Sequence, residues 1–373
     1  MNYRFAPGQK LLNRYEILSF HLAGGMQEVY TCYDHTLQRQ VALKTPKEGV
    51  VDLRFRRGAQ MGARVNHPNV AATFDYFEDE GIRCMVEEFI VGEDLGRRLD
   101  TQFHYLDPSL AAHVIHHIAK ALQAAHKQNI CHRDLKPSNI MTSSDYNITI
   151  IKLTDFGIAK LAENEIAVEM ERFDIDASTL TTSNTLLGAV PYMAPECWSD
   201  WSNAERPMDI WALGCIAFHL LTGETPFGGG RVAIGNVIRA SQTGIIELQQ
   251  PKWFGNHPNT KNLENSLWEI ILSCIKVNPE SRLTAEELVS KCDALCYATS
   301  TRSKGIISQY AVPYAGGGKS KTGYISNETN SENWFFHQTE FFGFHGPQSG
   351  QSVSFSTYPG TPRARCSPVL LLR

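Results

Sequence analysis

Eight consecutive residues, His132-Arg133-Asp134-Leu135-Lys136-Pro137-Ser138-Asn139, bring a carboxylate, an ammonium and an amide into one short stretch, and a second carboxylate follows sixteen positions later in Asp155-Phe156-Gly157. These are the groups phosphoryl transfer needs, because that reaction is catalysed mainly by positioning and by neutralising charge on the moving group. Asp134 is the candidate to accept the proton of an attacking hydroxyl, and Lys136 to offset charge on the phosphoryl oxygens. Asn139 and Asp155 supply oxygen ligands suited to Mg²⁺, a hard cation held by few protein groups together with nucleotide phosphates. A functionless charged loop would have to reproduce both motifs in this order and spacing by coincidence.

The rest of the chain has to build a scaffold for that cluster. With 373 residues, 42% hydrophobic and 20% charged, it can bury one large core or two lobes. A net charge of −4 argues against a nucleic-acid binder. The nine cysteines are scattered, odd in number and without a Cys-x-x-Cys pair, which fits a reduced cytoplasmic protein better than a disulfide scaffold. Met1 to Lys10 lack the apolar core of a signal peptide. The best apolar run, Ile210 to Thr222, is too short for a membrane span and contains His219, so a soluble chain is expected.

Periodicity divides the scaffold. Residues 15–91 alternate apolar and polar side chains over short runs such as Val29-Tyr30-Thr31-Cys32-Tyr33 and Val41-Ala42-Leu43-Lys44, which predicts a small antiparallel sheet. From residue 108, Leu110, Val114, Ile118, Leu122 and Ala125 recur at helical spacing and give a buried stripe that leads into the catalytic stretch. His113, His116 and His117 share that helix without a Glu or Cys to complete a metal set, so solvent-facing or capping roles are expected. After about residue 298 the chain turns rich in Ser, Gly, Thr, Asn and Gln. It has no Asp, three Glu and seven Lys plus Arg there, and this excess leaves residues 1–298 at −8. Such a composition predicts a flexible tail without its own core. Trp334-Phe335-Phe336 and Phe341-Phe342-Gly343-Phe344 are unusual in such a segment and leave docking and self-packing both open.

The motifs in their order resemble a eukaryotic-type serine/threonine protein kinase, similar to the bacterial members of that family, over residues 13–297. The resemblance implies an α+β, bilobal protein kinase-like fold: a small antiparallel β-sheet N-lobe with one helix (13–91), a larger mainly α-helical C-lobe (92–297) and the tail (298–373). It implies ATP and Mg²⁺ as cofactors, with Asp134, Lys136 and Lys44 catalytic and Asn139 and Asp155 holding the metal. The nucleotide would lie among Leu22, Gly24, Gly25, Val29, Ala42, Lys44, Glu87, Glu88, Ile90 and Met141. Glu196 of Ala194-Pro195-Glu196 would pair with Arg282, and Asp209 would tether the catalytic stretch. Partners would be protein substrates offering serine or threonine, with no nucleic acid and no membrane span; oligomeric state is not indicated. Autophosphorylation within the activation segment is part of the same expectation.

Three departures from the family pattern keep a second reading open, a pseudokinase acting as a nucleotide-binding or interaction module. In Leu22-Ala23-Gly24-Gly25-Met26-Gln27-Glu28-Val29, Leu22 and Gln27 stand at two of the three glycine places of the phosphate-covering loop. Gly58 stands where the family's helix carries the glutamate that pairs with the strand lysine, here Lys44. Ala189 replaces the threonine that follows Gly188 in the family pattern. Glu87 is a surplus carboxylate on the neighbouring strand and is expected to reach Lys44 in place of the missing partner. Before Gly188, the serines and threonines Ser178, Thr179, Thr181, Thr182, Ser183 and Thr185 offer phosphate acceptors that Arg133 could pair with.

Overall fold

The computed structural model describes residues 3–23, 27–47, 53–156, 188–199, 204–314, 317–327, 333–361 and 363–373. Gly24, Gly25, Gly157 and the Ser/Thr-rich stretch 178–185 lie outside the described residues.

Six strands form an antiparallel sheet in the order β1-β2-β3-β4-β6-β5: β1 (Lys10–Leu11), β2 (Tyr15–Ala23), β3 (Gln27–Asp34), β4 (Arg39–Pro46), β5 (Thr73–Asp79) and β6 (Ile82–Glu88). Side chains alternate across a strand, so each face has its own task. Val41, Leu43, Cys84 and Val86 turn to one side and join Tyr15, Ile17 and Tyr30 in a buried core. Ala42, Lys44, Met85 and Glu87 turn to the other, where α1 (Leu53–Gly62) packs Phe55 and Ala59 against Met85.

The helical portion follows: α2 (Leu95–Thr101), α3 (Pro108–Lys127), α4 (Glu196–Ser199), α5 (Pro207–Thr222), α6 (Gly230–Thr243), α7 (Lys261–Cys274) and α8 (Ala285–Asp293). Between α3 and α4 lie β8 (Ile140–Ser143) and β9 (Ile151–Leu153), which pair with β7 (Gly92–Asp94) in a small sheet. Asp107 caps α3 by accepting the Leu110 N–H at 3.3 Å, and Pro108 supplies the fixed φ favoured at the first helical position. Leu110, Val114, Ile118, Leu122 and Ala125 are all buried, as their spacing predicts. Helix α5 is apolar on every side and buried almost throughout, the signature of a central core helix. Gly214 lets α7 come close: a Cβ there would lie 2.7 Å from Cys274 Cβ.

The segment expected to be a flexible tail is instead folded. Its strands are β10 (Arg302–Tyr310), β11 (Pro313–Tyr314), β12 (Gly318–Lys319), β13 (Thr322–Asn327), β14 (Asn333–His337), β15 (Phe341–Phe342), β16 (Ser352–Tyr358) and β17 (Arg365–Leu371). Six of them form a sheet in the order β14-β13-β10-β16-β17-β15, and a parallel β14–β17 pairing closes it into a small barrel. Alternation explains the result. Ile307, Ile325, Phe336, Val353 and Phe355 turn inward, while the polar residues that dominate the composition fill turns and outer positions.

The barrel docks on the helical lobe. Arg302 Nη1 lies 2.7 Å from Asp107 Oδ2, with both side chains buried. Phe342, Leu370 and Leu372 belong to the large-lobe core; Phe342 stacks on His257 at 4.0 Å, and Phe344 meets Tyr105 edge-on at 5.0 Å. The tail aromatics therefore serve both roles, packing the barrel and anchoring it.

Two of the three α3 histidines, His113 and His116, also depart from expectation. His116 is buried, with Nδ1 2.8 Å from Tyr297 Oη and Nε2 3.0 Å from Asp293 Oδ1. His113 reaches the Ile148 carbonyl at 3.1 Å, and burial pushes its pKa down to about 4. They face α8 and the β8–β9 connection, not solvent. Among the described residues no group of His, Cys, Asp and Glu could hold a metal ion by itself.

Candidate active site

Strand register decides what Lys44 meets. In the antiparallel β4–β6 pair Ala42 stands opposite Glu87 and Lys44 opposite Met85, so Lys44 and Glu87 are diagonal neighbours on one face. Long side chains span that diagonal. Lys44 Nζ lies 2.6 Å from Glu87 Oε2 and 2.7 Å from Asp155 Oδ1, so one ammonium links the small sheet to the segment after β9. Helix α1 offers it no acid: its sequence is LRFRRGAQMG, and Gly58 is buried. The surplus carboxylate of the strand thus takes the place left empty on the helix.

Charge in this cluster follows from burial and contact. Burial opposes the Lys44 charge, but Asp155 and Glu87 outweigh it and hold the ammonium above its ordinary pKa. For Asp155 burial pushes upward, yet Lys44 and the Gln27 amide keep the carboxyl below its ordinary value. Glu87 is the opposite case: burial wins over the attraction of Lys44, Asp155 repels it, and its pKa is raised. Asp155 is therefore the firmly ionised partner.

The stretch 132–139 is held from below by Asp209 of α5. Its Oδ2 accepts the His132 N–H at 2.8 Å, its Oδ1 accepts the Arg133 N–H at 2.9 Å, and Oδ2 also lies 2.8 Å from His126 Nε2. His132 is fully buried; its Nδ1 accepts the Asp134 N–H at 3.3 Å, so Nε2 carries the proton and donates to the Thr154 carbonyl at 2.8 Å. One imidazole thereby joins the stretch that carries Asp134 to the one that carries Asp155. Arg133 and Asp155 both have left-handed backbone, φ 69° and 62°. Such conformations cost non-glycine residues about 1–3 kcal/mol and persist where surrounding contacts enforce them.

Asp134, Lys136 and Asn139 converge. Lys136 Nζ donates to both Asp134 carboxylate oxygens, at 2.9 and 2.8 Å. Asn139 Nδ2 donates to the Asp134 carbonyl at 2.7 Å and to Oδ2 at 3.0 Å, which commits the amide nitrogen and reserves its oxygen. The Asn139 carbonyl accepts the Thr154 N–H at 3.0 Å.

Other expected residues fall into place unevenly. Val29 stands opposite Lys44 on β3, Ala42 precedes it on β4, and Leu22 is paired with Val29 on β2. Ile90 is buried just beyond β6, and Met141 is half-buried on β8. The Glu88 carboxylate is engaged elsewhere, accepting from Lys152 Nζ at 2.7 Å and from the Ala72 N–H at 3.3 Å, and its own N–H donates to the Ala72 carbonyl at 2.9 Å. Glu196 and Arg282 form a two-pronged pair, 2.7 Å on one arm, as expected. Sequence reasoning saw in Gln27 only a lost glycine and missed its contact: Nε2 donates to Asp155 Oδ1 at 2.8 Å. The signal was there in a long amide at a place suited to no side chain. His126 gave no such signal.

A small antiparallel sheet joined to a helical lobe, with Lys44 meeting Asp155 and Asp134 meeting Lys136 and Asn139, is the architecture of the protein kinases. A family model described as a protein kinase domain matches residues 23–292, and the chain belongs to that family. It is 35% identical to the serine/threonine-protein kinase PrkC of Bacillus subtilis over 227 residues, 60% of this chain and 32% of that one. To the probable serine/threonine-protein kinase PknB of Lactococcus lactis it is 36% identical over 228 residues, 60% of this chain and 34% of that one. The chain thus spans about a third of the length of these curated relatives. The crystal structure of the PknI kinase domain of Mycobacterium tuberculosis superposes with a TM-score of 0.54 at 22% identity, covering 78% of this chain and 98% of that one; this likeness is one of fold.

Proposed function

We propose that this chain transfers the γ-phosphate of ATP to serine and threonine hydroxyls of proteins. The observation that carries the reading is the Lys44–Asp155 contact across the cleft, 2.7 Å, beside the Asp134–Lys136–Asn139 cluster. In this reading Lys44 holds the α- and β-phosphates. Asp134 accepts the proton of the attacking hydroxyl, and Lys136 offsets charge on the phosphoryl oxygens.

The donor set suits Mg²⁺. Asp155 is held ionised, and Asn139 has its amide nitrogen committed and its oxygen in reserve, which gives two oxygen donors of the hard kind that Mg²⁺ takes. Asn139 and Asp155 would hold the ion, which when bound supplies charge neutralisation to the phosphates. The surrounding side chains need only keep these oxygens aimed.

Location in the cytoplasm is part of the proposal. All nine cysteines are free thiols, seven of them buried, as a reducing compartment allows, and among the described residues no helix is long and apolar enough to cross a membrane.

The test is incorporation of labelled γ-phosphate into the chain itself and into a basic protein, by wild type and by Asp134→Asn. Loss of transfer in the variant with ATP binding retained is the expected outcome. Equal incorporation by the two proteins would sink the reading.

A further inference from the structure

Gln27 begins β3 at the rim of the covering hairpin, opposite Pro46, which has no N–H to offer. Its amide turns instead across the cleft to Asp155. The same oxygen, Asp155 Oδ1, accepts from Gln27 Nε2 at 2.8 Å and from Lys44 Nζ at 2.7 Å. Among the described residues Oδ2 has only a long contact from Thr154 Oγ1, at 3.5 Å. Asp155 is thus gripped by one oxygen and presents the other, in a left-handed backbone conformation that does not hold itself. The Gln27 Oε1 atom is shielded from water and finds no hydrogen-bond donor among the described residues. Leaving a shielded amide oxygen unmatched is unfavourable, and a hydrated cation at Asp155 would bring donors to it.

We propose that Gln27 is a positioning residue for the cation carboxylate: its amide nitrogen fixes Asp155 Oδ1 so that Oδ2 faces Mg²⁺, and its amide oxygen accepts from a water of the hydrated ion carried by the nucleotide. This rests on the kinase reading for the identity of the ligand. The departure from glycine then replaces backbone flexibility with a polar link between the hairpin and the metal site.

The experiment titrates Mg²⁺ at fixed ATP with the whole wild-type chain described above, Gln27→Met and Gln27→Gly, following nucleotide-dependent thermal stabilisation alongside phosphate transfer. Methionine keeps the length and removes both polar atoms; glycine removes the side chain altogether. A charge-assisted hydrogen bond is the interaction lost, so both variants should need about tenfold more Mg²⁺ for half-maximal stabilisation. Stabilisation by ATP without metal should stay within about twofold of wild type. A half-point unchanged in both variants overturns the proposal, and so does an equal loss with and without Mg²⁺, which would mean a general effect on the hairpin. If wild type binds ATP with Mg²⁺ but transfers nothing, the kinase reading fails while the Mg²⁺ half-points still decide the role of Gln27. If wild type shows no Mg²⁺-dependent binding, both fail.

Discussion

Replacing Glu87 by glutamine keeps the volume beside Lys44 and removes the charge. At the observed 2.6 Å, two unit charges attract by about 6 kcal/mol with an effective dielectric of about 20. Desolvation offsets most of that, since burial outweighs Lys44 in setting the Glu87 pKa. Asp155 stays on Lys44 in the variant, so the loss is smaller than the roughly 3–5 kcal/mol seen when a buried charge is left with no partner. About 1–2 kcal/mol remains, a 5- to 30-fold weaker hold on ATP at neutral pH. The assay is ATP affinity by isothermal titration, with the KM for ATP in parallel, for wild type and Glu87→Gln between pH 5 and 8.

The pH dependence has a definite sign. As pH falls through the raised Glu87 pKa, the carboxylate takes up a proton and lets Lys44 go, so the advantage of wild type shrinks toward acid. Stability runs the other way. A carboxyl whose folded pKa lies above its unfolded value of 4.5 contributes stability below that value and loses it as pH rises through the folded pKa. At pH 7 Glu87→Gln should therefore resist urea at least as well as wild type while binding ATP less well. Wild-type ATP affinity in the variant at pH 7 would refute the assignment of Glu87 as the partner of Lys44.

Asp209→Asn puts an amide among the N–H groups of His132 and Arg133, which should cost about 2–4 kcal/mol in urea unfolding and lower kcat at least tenfold with the KM for ATP little changed; an unaffected kcat would show that the tether is dispensable. Because Asp209 is held below its ordinary pKa, its hydrogen bonds outweighing burial, its contribution is present above the unfolded value and lost as pH falls through the folded one. Arg302→Met strands the buried Asp107 carboxylate and should destabilise the chain by about 3–5 kcal/mol, read as a drop in urea midpoint. A change under about 1 kcal/mol would contradict a docked barrel.

Most of the site was readable because its motifs fix both residue type and spacing. Asp134, Lys136, Asn139 and Asp155 are brought together much as their order suggests. The reach of Glu87 to Lys44 was also legible, because two strand motifs set a register and register sets faces. Gln27 was misread, since a pattern of glycines says what is absent and nothing of where a replacing side chain will point. The barrel was hidden by its composition. Its inward residues come one at a time from separated strands: β16 alternates Ser352-Val353-Ser354-Phe355-Ser356 with two apolar residues alone, and Ser354 and Ser356 are buried as well, so polar composition does not report exposure there.

The docked barrel also bears on how the chain reaches its native state. Arg373 Nε donates to the Phe103 carbonyl at 2.9 Å across a separation of 270 residues, whereas helices and hairpins close over a few positions. Contacts so distant along the chain carry a large loop-closure entropy and form late. The barrel and the helical lobe should thus acquire their own structure first, and a refolding experiment that follows Trp253 and Trp334 separately should resolve a slow final phase in which the interface around Phe342 and Phe344 assembles.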